Sequence, residues 1–159
     1  MESATLLFVY GTLLRGQPNH SLLHGCRRVG DARTAARFEL VVFDRYPALV
    51  REGTTSVTGE LYAVDSATLA ALDRFEGHPS LYRRDRLELE DGTFAEAYFL
   101  EARRARGDRR IAGGDWRSWC KGAACALLSL TLAGSAYAER HRDAGSDAAR
   151  GAAATQPSS

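Results

Sequence analysis

The stretch TLLFVYGTL at residues 5–13 decides the fold of this chain, because an apolar run there ends at a glycine. Residues 5–10 are apolar and rich in aromatic side chains, which predicts a central strand. Gly11 then predicts a loop, where backbone amides can turn toward a ligand without a Cβ in the way. Because a glycine after a strand is more commonly a plain turn, this feature alone does not identify a site.

The rest of the chain predicts further short strands that end at turn residues, at 34–43, 46–50, 58–64 and 94–100. Residues 46–50 are expected at a sheet edge, because Pro47 lacks a backbone N–H. Leu87 and Leu89 alternate with charged side chains, and Asp91-Gly92 is typical of a tight hairpin turn with positive φ at both positions. Five or six such strands predict a mostly antiparallel sheet that curls into a small β-barrel.

One helix is predicted between the strand at 58–64 and the hairpin. Asp65 or Ser66 can cap its N terminus, and Gly77 and Pro79 end it. This helix is the only segment of the chain in which a helical apolar stripe lies between clear start and stop signals.

Glu76 is predicted to face the core from the last turn of this helix. Leu69, Leu72 and Glu76 fall on one stripe at i, i+3 and i+7 spacing. Loss of hydration and the negative end of the helix dipole both raise the pKa of a carboxyl group there, which suits an acid or base in catalysis. The alternative is an ordinary helix-end glutamate that turns to solvent or pairs with Arg83 or Arg84.

Composition limits the classes of function. The chain has 159 residues, with 21 Lys plus Arg against 20 Asp plus Glu, so no strong positive field favours nucleic acid as a partner. Cys26, Cys120 and Cys125 lack the paired spacing of a zinc site, and no metal is expected. The apolar run near the N terminus has no basic segment before it, and we expect a cytoplasmic location.

Three segments in this order resemble the gamma-glutamylcyclotransferase-like family, most closely its gamma-glutamylamine cyclotransferase branch. They are FVYGTLLRGQPNH at 8–20, GELYAVD at 59–65 and LDRFEGHPSLYRR at 72–84. The resemblance extends over residues 6–119 and implies an α+β fold, a small mixed β-barrel with flanking helices. It also implies conversion of a gamma-glutamyl amine to 5-oxoproline and a free amine, without cofactor or metal.

The resemblance implies roles for individual residues. Glu76 would be the catalytic base and then acid. The implied substrate-binding residues are Tyr10, Gly11, Thr12, Leu13 and Tyr82. Whether the amides of the loop hold the alpha-carboxylate or the oxyanion stays open, with the carboxylate favoured. The alternatives are a non-catalytic or differently specialised small-molecule-binding domain of the same fold, and an unrelated small barrel that acts as an interaction module.

The sequence predicts a domain at 1–119, an apolar segment at 120–138 that forms an accessory helix, and a disordered tail at 139–159. Residues 122–138 carry no charge, and a tail anchor in a membrane is the alternative for this segment. The sequence makes no prediction of oligomeric state.

Overall fold

A computed structural model describes residues 4–122 as strands around a buried core, with two α-helices and a short 3-10 helix. The strands are β1 (Thr5–Val9), β2 (Arg27–Arg33), β3 (Phe38–Phe43), β4 (Tyr46–Arg51), β5 (Thr58–Val64), β6 (Tyr82–Glu88), β7 (Phe94–Leu100) and β8 (Arg109–Arg110). The helices are α1 (Ser66–Glu76), α2 (Trp116–Gly122) and a short 3-10 helix (His20–Leu23).

The strands form one mixed, mostly antiparallel sheet in the order β2-β5-β1-β7-β4-β3-β8, and β6 pairs with β7. The sheet curls into a half-barrel, which confirms the predicted fold class. The parallel pairs are β1 with β7, at Leu7 and Glu96, and β4 with β7, at Leu49 and Phe99. Gly11, two residues after the end of β1, lies against Pro47, so the end of β1 lies near the start of β4.

The prediction of one strand over residues 34–43 is wrong at its start. The structure has β3 at Phe38–Phe43 and a separate strand, β2, at Arg27–Arg33 that the sequence did not predict. In β2 exposed and half-buried residues alternate, but most of the half-buried positions carry small or polar side chains, so no apolar pattern marks the strand. Thr34 is instead fully buried, and its Oγ1 accepts the backbone N–H of Val57 at 2.9 Å.

The prediction that residues 46–50 form an edge strand is also wrong, because β4 lies inside the sheet between β7 and β3. Pro47 pairs with Val42 in the β3–β4 register. β4 meets β7 at Leu49, which lies beyond Pro47 along the strand. The proline is therefore tolerated because it precedes the point where the second ladder begins.

Helix α1 confirms the predicted ends and the inward stripe. The Asp65 side chain caps the helix by accepting the Thr68 amide at 2.7 Å, and Gly77 ends it with φ of 64°. Leu72 is completely buried, and Glu76 is only 9% exposed. The alternative that Glu76 turns to solvent is therefore excluded.

The β6–β7 hairpin forms where it was predicted, with one difference in its turn. Gly92 has φ of 81°, as expected. Asp91 does not have positive φ, and its carboxylate instead accepts the Thr93 amide at 2.9 Å. Of the two residues expected to have positive φ, only Gly92 therefore does.

The predicted boundary after residue 119 falls inside α2, which continues to Gly122 and buries Trp116 and Cys120. Nearly all of the predicted apolar segment at 120–138, and the predicted tail at 139–159, lie outside the described residues. In the part of the chain that the structure describes, no helix is long and apolar enough to cross a membrane.

Candidate active site

A pocket lies where β1 ends, and the structure brings all six of the site residues predicted from sequence to it. The end of β1, the loop of residues 10–13 (the 10–13 loop), the start of β4, the end of α1 and strands β6 and β7 contribute to its wall. The lining residues are Phe8, Val9, Tyr10, Gly11, Thr12, Leu13, Tyr46, Pro47, Glu76, Tyr82 and Tyr98. Segments that are far apart in sequence thus meet at the gap between β1 and β4.

The 10–13 loop packs closely against β4. A Cβ added to Gly11 would lie 2.3 Å from Cγ of Pro47, so this position has no room for a side chain. The Gly11 carbonyl accepts the Leu14 amide, and the Thr12 carbonyl accepts the Asn19 amide, both at 3.0 Å. The Thr12 hydroxyl also accepts from Nδ2 of Asn19 at 3.0 Å. Internal bonds to these oxygens therefore fix the shape of the loop.

Two tyrosines lie beside the buried carboxylate of Glu76. Burial raises the pKa of Tyr10 well above its usual range, and the nearby Tyr82 and Glu76 raise it further. Burial, the hydrogen bond to Asp73, and the charges of Asp73 and Glu76 also raise the pKa of Tyr98. Both phenols are therefore protonated near neutral pH and act as hydrogen-bond donors. Tyr10 donates to the backbone carbonyl of Tyr98 at 2.7 Å.

An ion-pair network that the sequence did not reveal holds Tyr98 in the pocket wall. The Tyr98 hydroxyl donates to Oδ1 of Asp73 at 2.7 Å, and Nε of Arg84 donates to the same oxygen at 2.8 Å. Arg84 also donates to Oδ2 of Asp73 at 3.1 Å and binds Glu96. Burial opposes ionisation of Asp73, but the bonds from Arg84 and Tyr98 outweigh it and lower the pKa of this carboxyl.

The same network bears on the alternative in which Glu76 pairs with Arg83 or Arg84. Arg84, one of the two arginines named as alternatives, is engaged by Asp73 and Glu96. Asp73 precedes Glu76 by less than one helical turn, so helical spacing was the signal that could have found it. Tyr98 had no such signal, because its partner lies on another element.

Among residues 4–122, no group of His, Cys, Asp and Glu side chains has the arrangement of a metal site.

Comparisons with known proteins agree with this arrangement. A family model described as gamma-glutamyl cyclotransferase, AIG2-like, matches residues 7–118. A Vibrio cholerae protein named "Putative gamma-glutamylcyclotransferase" is 42% identical over 111 residues, which cover 70% of this chain and 94% of that protein. The match to the family model includes every residue that lines the pocket, since all of them lie between residues 8 and 98.

The human gamma-glutamylaminecyclotransferase is 42% identical over 94 residues, which cover 54% of this chain and 61% of that protein. The crystal structure of a uropathogenic E. coli-specific protein superposes with a TM-score of 0.66 at 31% identity and covers 74% of this chain and 96% of that chain. The E. coli protein is thus matched over almost its whole length. The human relative is matched over about three fifths of its length.

Proposed function

This chain belongs to the gamma-glutamyl cyclotransferase, AIG2-like family, and on that premise we propose that it converts a gamma-glutamyl amine to 5-oxoproline and a free amine. Gamma-glutamylcyclotransferase activity follows from membership of the family, whereas the amine substrate and the role of Glu76 are our proposal. The observation that carries the proposal is the buried carboxylate of Glu76 in one pocket with the 10–13 loop.

The reaction needs an intramolecular attack. The alpha-amino nitrogen of the glutamyl group forms a bond to the gamma-carbonyl carbon and closes a five-membered ring, and the bond from that carbon to the amine breaks. One proton must leave the attacking nitrogen and another must reach the departing nitrogen. Since both ends belong to one molecule, holding the substrate bent in a near-attack geometry can lower the barrier by several kcal/mol, on the order of what intramolecular orientation supplies elsewhere.

Glu76 is placed to carry this proton in our proposal. As a carboxylate it accepts a proton from the attacking nitrogen, and as a carboxylic acid it returns a proton to the leaving amine. The amides of Gly11, Thr12 and Leu13 bind the alpha-carboxylate of the glutamyl group and fix its orientation. Tyr10 and Tyr82 line the same pocket as this carboxylate.

The assay is release of 5-oxoproline from a panel of gamma-glutamyl compounds. We expect a higher kcat/KM for gamma-glutamyl-epsilon-lysine than for glutathione or for dipeptides linked through an alpha-amine. The human relative whose name specifies the amine supports this order. A kcat/KM that favours the alpha-linked compounds would contradict the amine substrate and leave the family activity intact.

Glu76→Gln tests the proton transfer. We expect kcat to fall by about a hundredfold or more, because glutamine keeps the size of the side chain but carries no proton between the two nitrogens. Glu90→Gln is the matched control, since Glu90 is exposed on the hairpin, and it should keep wild-type kcat. A folded Glu76→Gln protein that retains more than about a tenth of wild-type kcat would exclude a single carboxyl group as the acid and base.

A further inference from the structure

A buried carboxylate outside the pocket, Glu60 of β5, binds groups from several parts of the chain. Its side chain is 1% exposed. Its Oε2 accepts the backbone N–H of Arg15 at 3.0 Å and the hydroxyl of Tyr62 at 2.9 Å. Its Oε1 accepts from Nη2 of Arg117 at 2.9 Å and from Nη2 of Arg28 at 3.3 Å. Glu60 therefore joins β5 to β2, to α2 and to the segment that follows the 10–13 loop.

Glu60 lies beside both ends of the 10–13 loop. In the β1–β5 register it is opposite Val9, the last residue of β1. On the far side of the loop, Arg117 donates to the Arg15 carbonyl at 2.9 Å while it also binds Glu60. Both backbone polar groups of Arg15 are thus held, one by Glu60 and one by its partner Arg117.

Helix α2 makes a second attachment to the same segment. Nε1 of Trp116, a buried residue, donates to the side-chain oxygen of Gln17 at 3.2 Å. Asn19 then bonds back to Thr12 through both its backbone and its side chain. The chain from residue 10 to residue 19 is therefore fixed from outside the pocket by β5 and α2.

The chemistry of Glu60 indicates a role in geometry as well as in stability. Burial opposes ionisation of Glu60, but bonds from the Arg15 amide, Arg117 and Tyr62 outweigh it and lower the pKa to about 2. The charge therefore persists near neutral pH. Apolar side chains of similar size can often replace a buried ion pair without loss of stability, whereas a charge-assisted hydrogen bond to a backbone amide fixes that amide in position.

We propose that Glu60, together with Arg117, is a positioning group that sets the 10–13 loop for the glutamyl end of the substrate. The inference rests on the proposed function of that loop. Glu60 does not line the pocket, so it acts through the backbone of Arg15 and not through contact with the substrate.

The test compares Glu60→Gln and Arg117→Gln with Arg28→Gln in the full chain. Arg28 is the matched control, because it binds Glu60 from β2, whereas Arg117 binds both Glu60 and the loop segment. We expect KM for gamma-glutamyl-epsilon-lysine to rise about tenfold or more in Glu60→Gln and Arg117→Gln, while kcat stays within about threefold of wild type. Arg28→Gln should keep KM close to wild type.

Hydrogen exchange distinguishes a local effect on the loop segment from a general loss of stability, which would lower protection throughout the sheet. The Arg15 amide should lose protection in Glu60→Gln and Arg117→Gln, while amides in the centre of β1 and β5 keep theirs. If Glu60→Gln does not fold, the comparison of Arg117→Gln with Arg28→Gln tests the positioning role. We expect Arg117→Gln to fold, because the Arg117 side chain is one-third exposed.

The outcomes separate this inference from the proposed function. Wild-type protein that releases no 5-oxoproline from any compound overturns the proposed function, and the inference with it. Normal wild-type turnover with unchanged KM in Glu60→Gln and Arg117→Gln overturns the positioning role alone. An equal rise in KM in Arg28→Gln also overturns it, because the effect would then follow the charge balance of the cluster and not the loop.

Discussion

Gly11 is where a single added methyl group would disturb the candidate site. The Cβ of Gly11→Ala would lie 2.3 Å from Cγ of Pro47, and a contact this short forces the loop or β4 to move. We expect a loss of about 1–3 kcal/mol in the free energy of unfolding, as for other overpacked sites, and a fall in kcat/KM of about tenfold or more. Urea unfolding and the 5-oxoproline assay measure the two effects.

Gly113→Ala is the control for this prediction, because a Cβ at Gly113 would have no heavy atom within 4 Å. Adding Pro47→Ala to Gly11→Ala should restore part of the stability, since the clashing ring is then gone. If Gly11→Ala and Gly113→Ala had equal stability and activity, the close approach of the loop to β4 would not matter for the site.

Glu60 should make stability depend on pH in the acid range. Its pKa falls from an ordinary 4.5 to about 2 in the folded protein, so between these values the unfolded chain binds more protons than the folded one. The ionised Glu60 carboxylate therefore contributes fully to the free energy of unfolding above about pH 5, and this contribution is lost as the pH falls toward about 2. Linkage gives about 3 kcal/mol for the whole change in the free energy of unfolding.

Unfolding of wild type and Glu60→Gln by urea at several pH values measures this contribution. The stability difference between the two proteins should shrink as the pH falls from about 5 to about 2, because wild type then loses the same charge that the variant lacks. A difference that stays constant over this range would mean that folding does not lower the pKa of Glu60.

At the level of elements, the β6–β7 hairpin depends on one glycine. Gly92 has φ of 81°, and a Cβ there would contact nothing, so Gly92→Ala tests backbone strain alone. We expect a loss of about 1–2 kcal/mol in the free energy of unfolding, the cost of a left-handed conformation for a residue with a Cβ. Gly92 does not line the pocket, so kcat/KM should stay at the wild-type value.

Gly30→Ala in β2 controls for the change of residue type, since Gly30 has space for a Cβ and no positive φ. Its stability should equal or slightly exceed that of wild type, because alanine restricts the unfolded chain. Equal losses in Gly92→Ala and Gly30→Ala would show that the strained turn does not limit stability.

The elements that could be predicted from the sequence are those whose signals are local. α1 has its cap, its stripe and its terminal glycine within one segment, and the hairpin has its turn between two alternating strands. β2 and the interior position of β4 depend on pairing with strands that are distant in sequence. Local patterning does not contain that information, so these two predictions failed.

The same distinction applies to the candidate site. Glu76 could be found from helical spacing and the 10–13 loop from its place after a strand. Tyr98, Asp73 and Arg84 come together only when β6 and β7 fold against α1. The resemblance to the family supplied the chemistry of the reaction, which no spacing of residues in this chain specifies.

For the whole molecule, the site exists because β7 pairs with two strands that run parallel to it. β1 meets β7 at Glu96 and β4 meets it at Phe99, and the loop after β1 lies against the start of β4 at Gly11 and Pro47. α1 brings its last turn to the same place. The pocket is therefore a product of the topology.

The C-terminal boundary gives the last prediction. Sequence alone placed it after residue 119, but α2 extends to Gly122, buries Cys120 and holds the loop segment through Trp116 and Arg117. A chain of residues 1–122 keeps all of these contacts, whereas a chain of residues 1–119 loses the last turn of the helix. We expect the longer chain to match the full-length protein in Tm and kcat/KM.

The shorter chain should lose stability and activity together. Without the last turn, the backbone bonds that keep Trp116 and Arg117 in helical positions are weakened, so Tm should fall by roughly 5 °C or more and KM should rise, as in Arg117→Gln. Thermal unfolding and the 5-oxoproline assay on the two truncated chains and the full chain measure both effects. If the chain ending at residue 119 matched the one ending at residue 122, the last turn of α2 would have no part in holding the loop; if both lost activity, residues beyond 122 would belong to the functional unit.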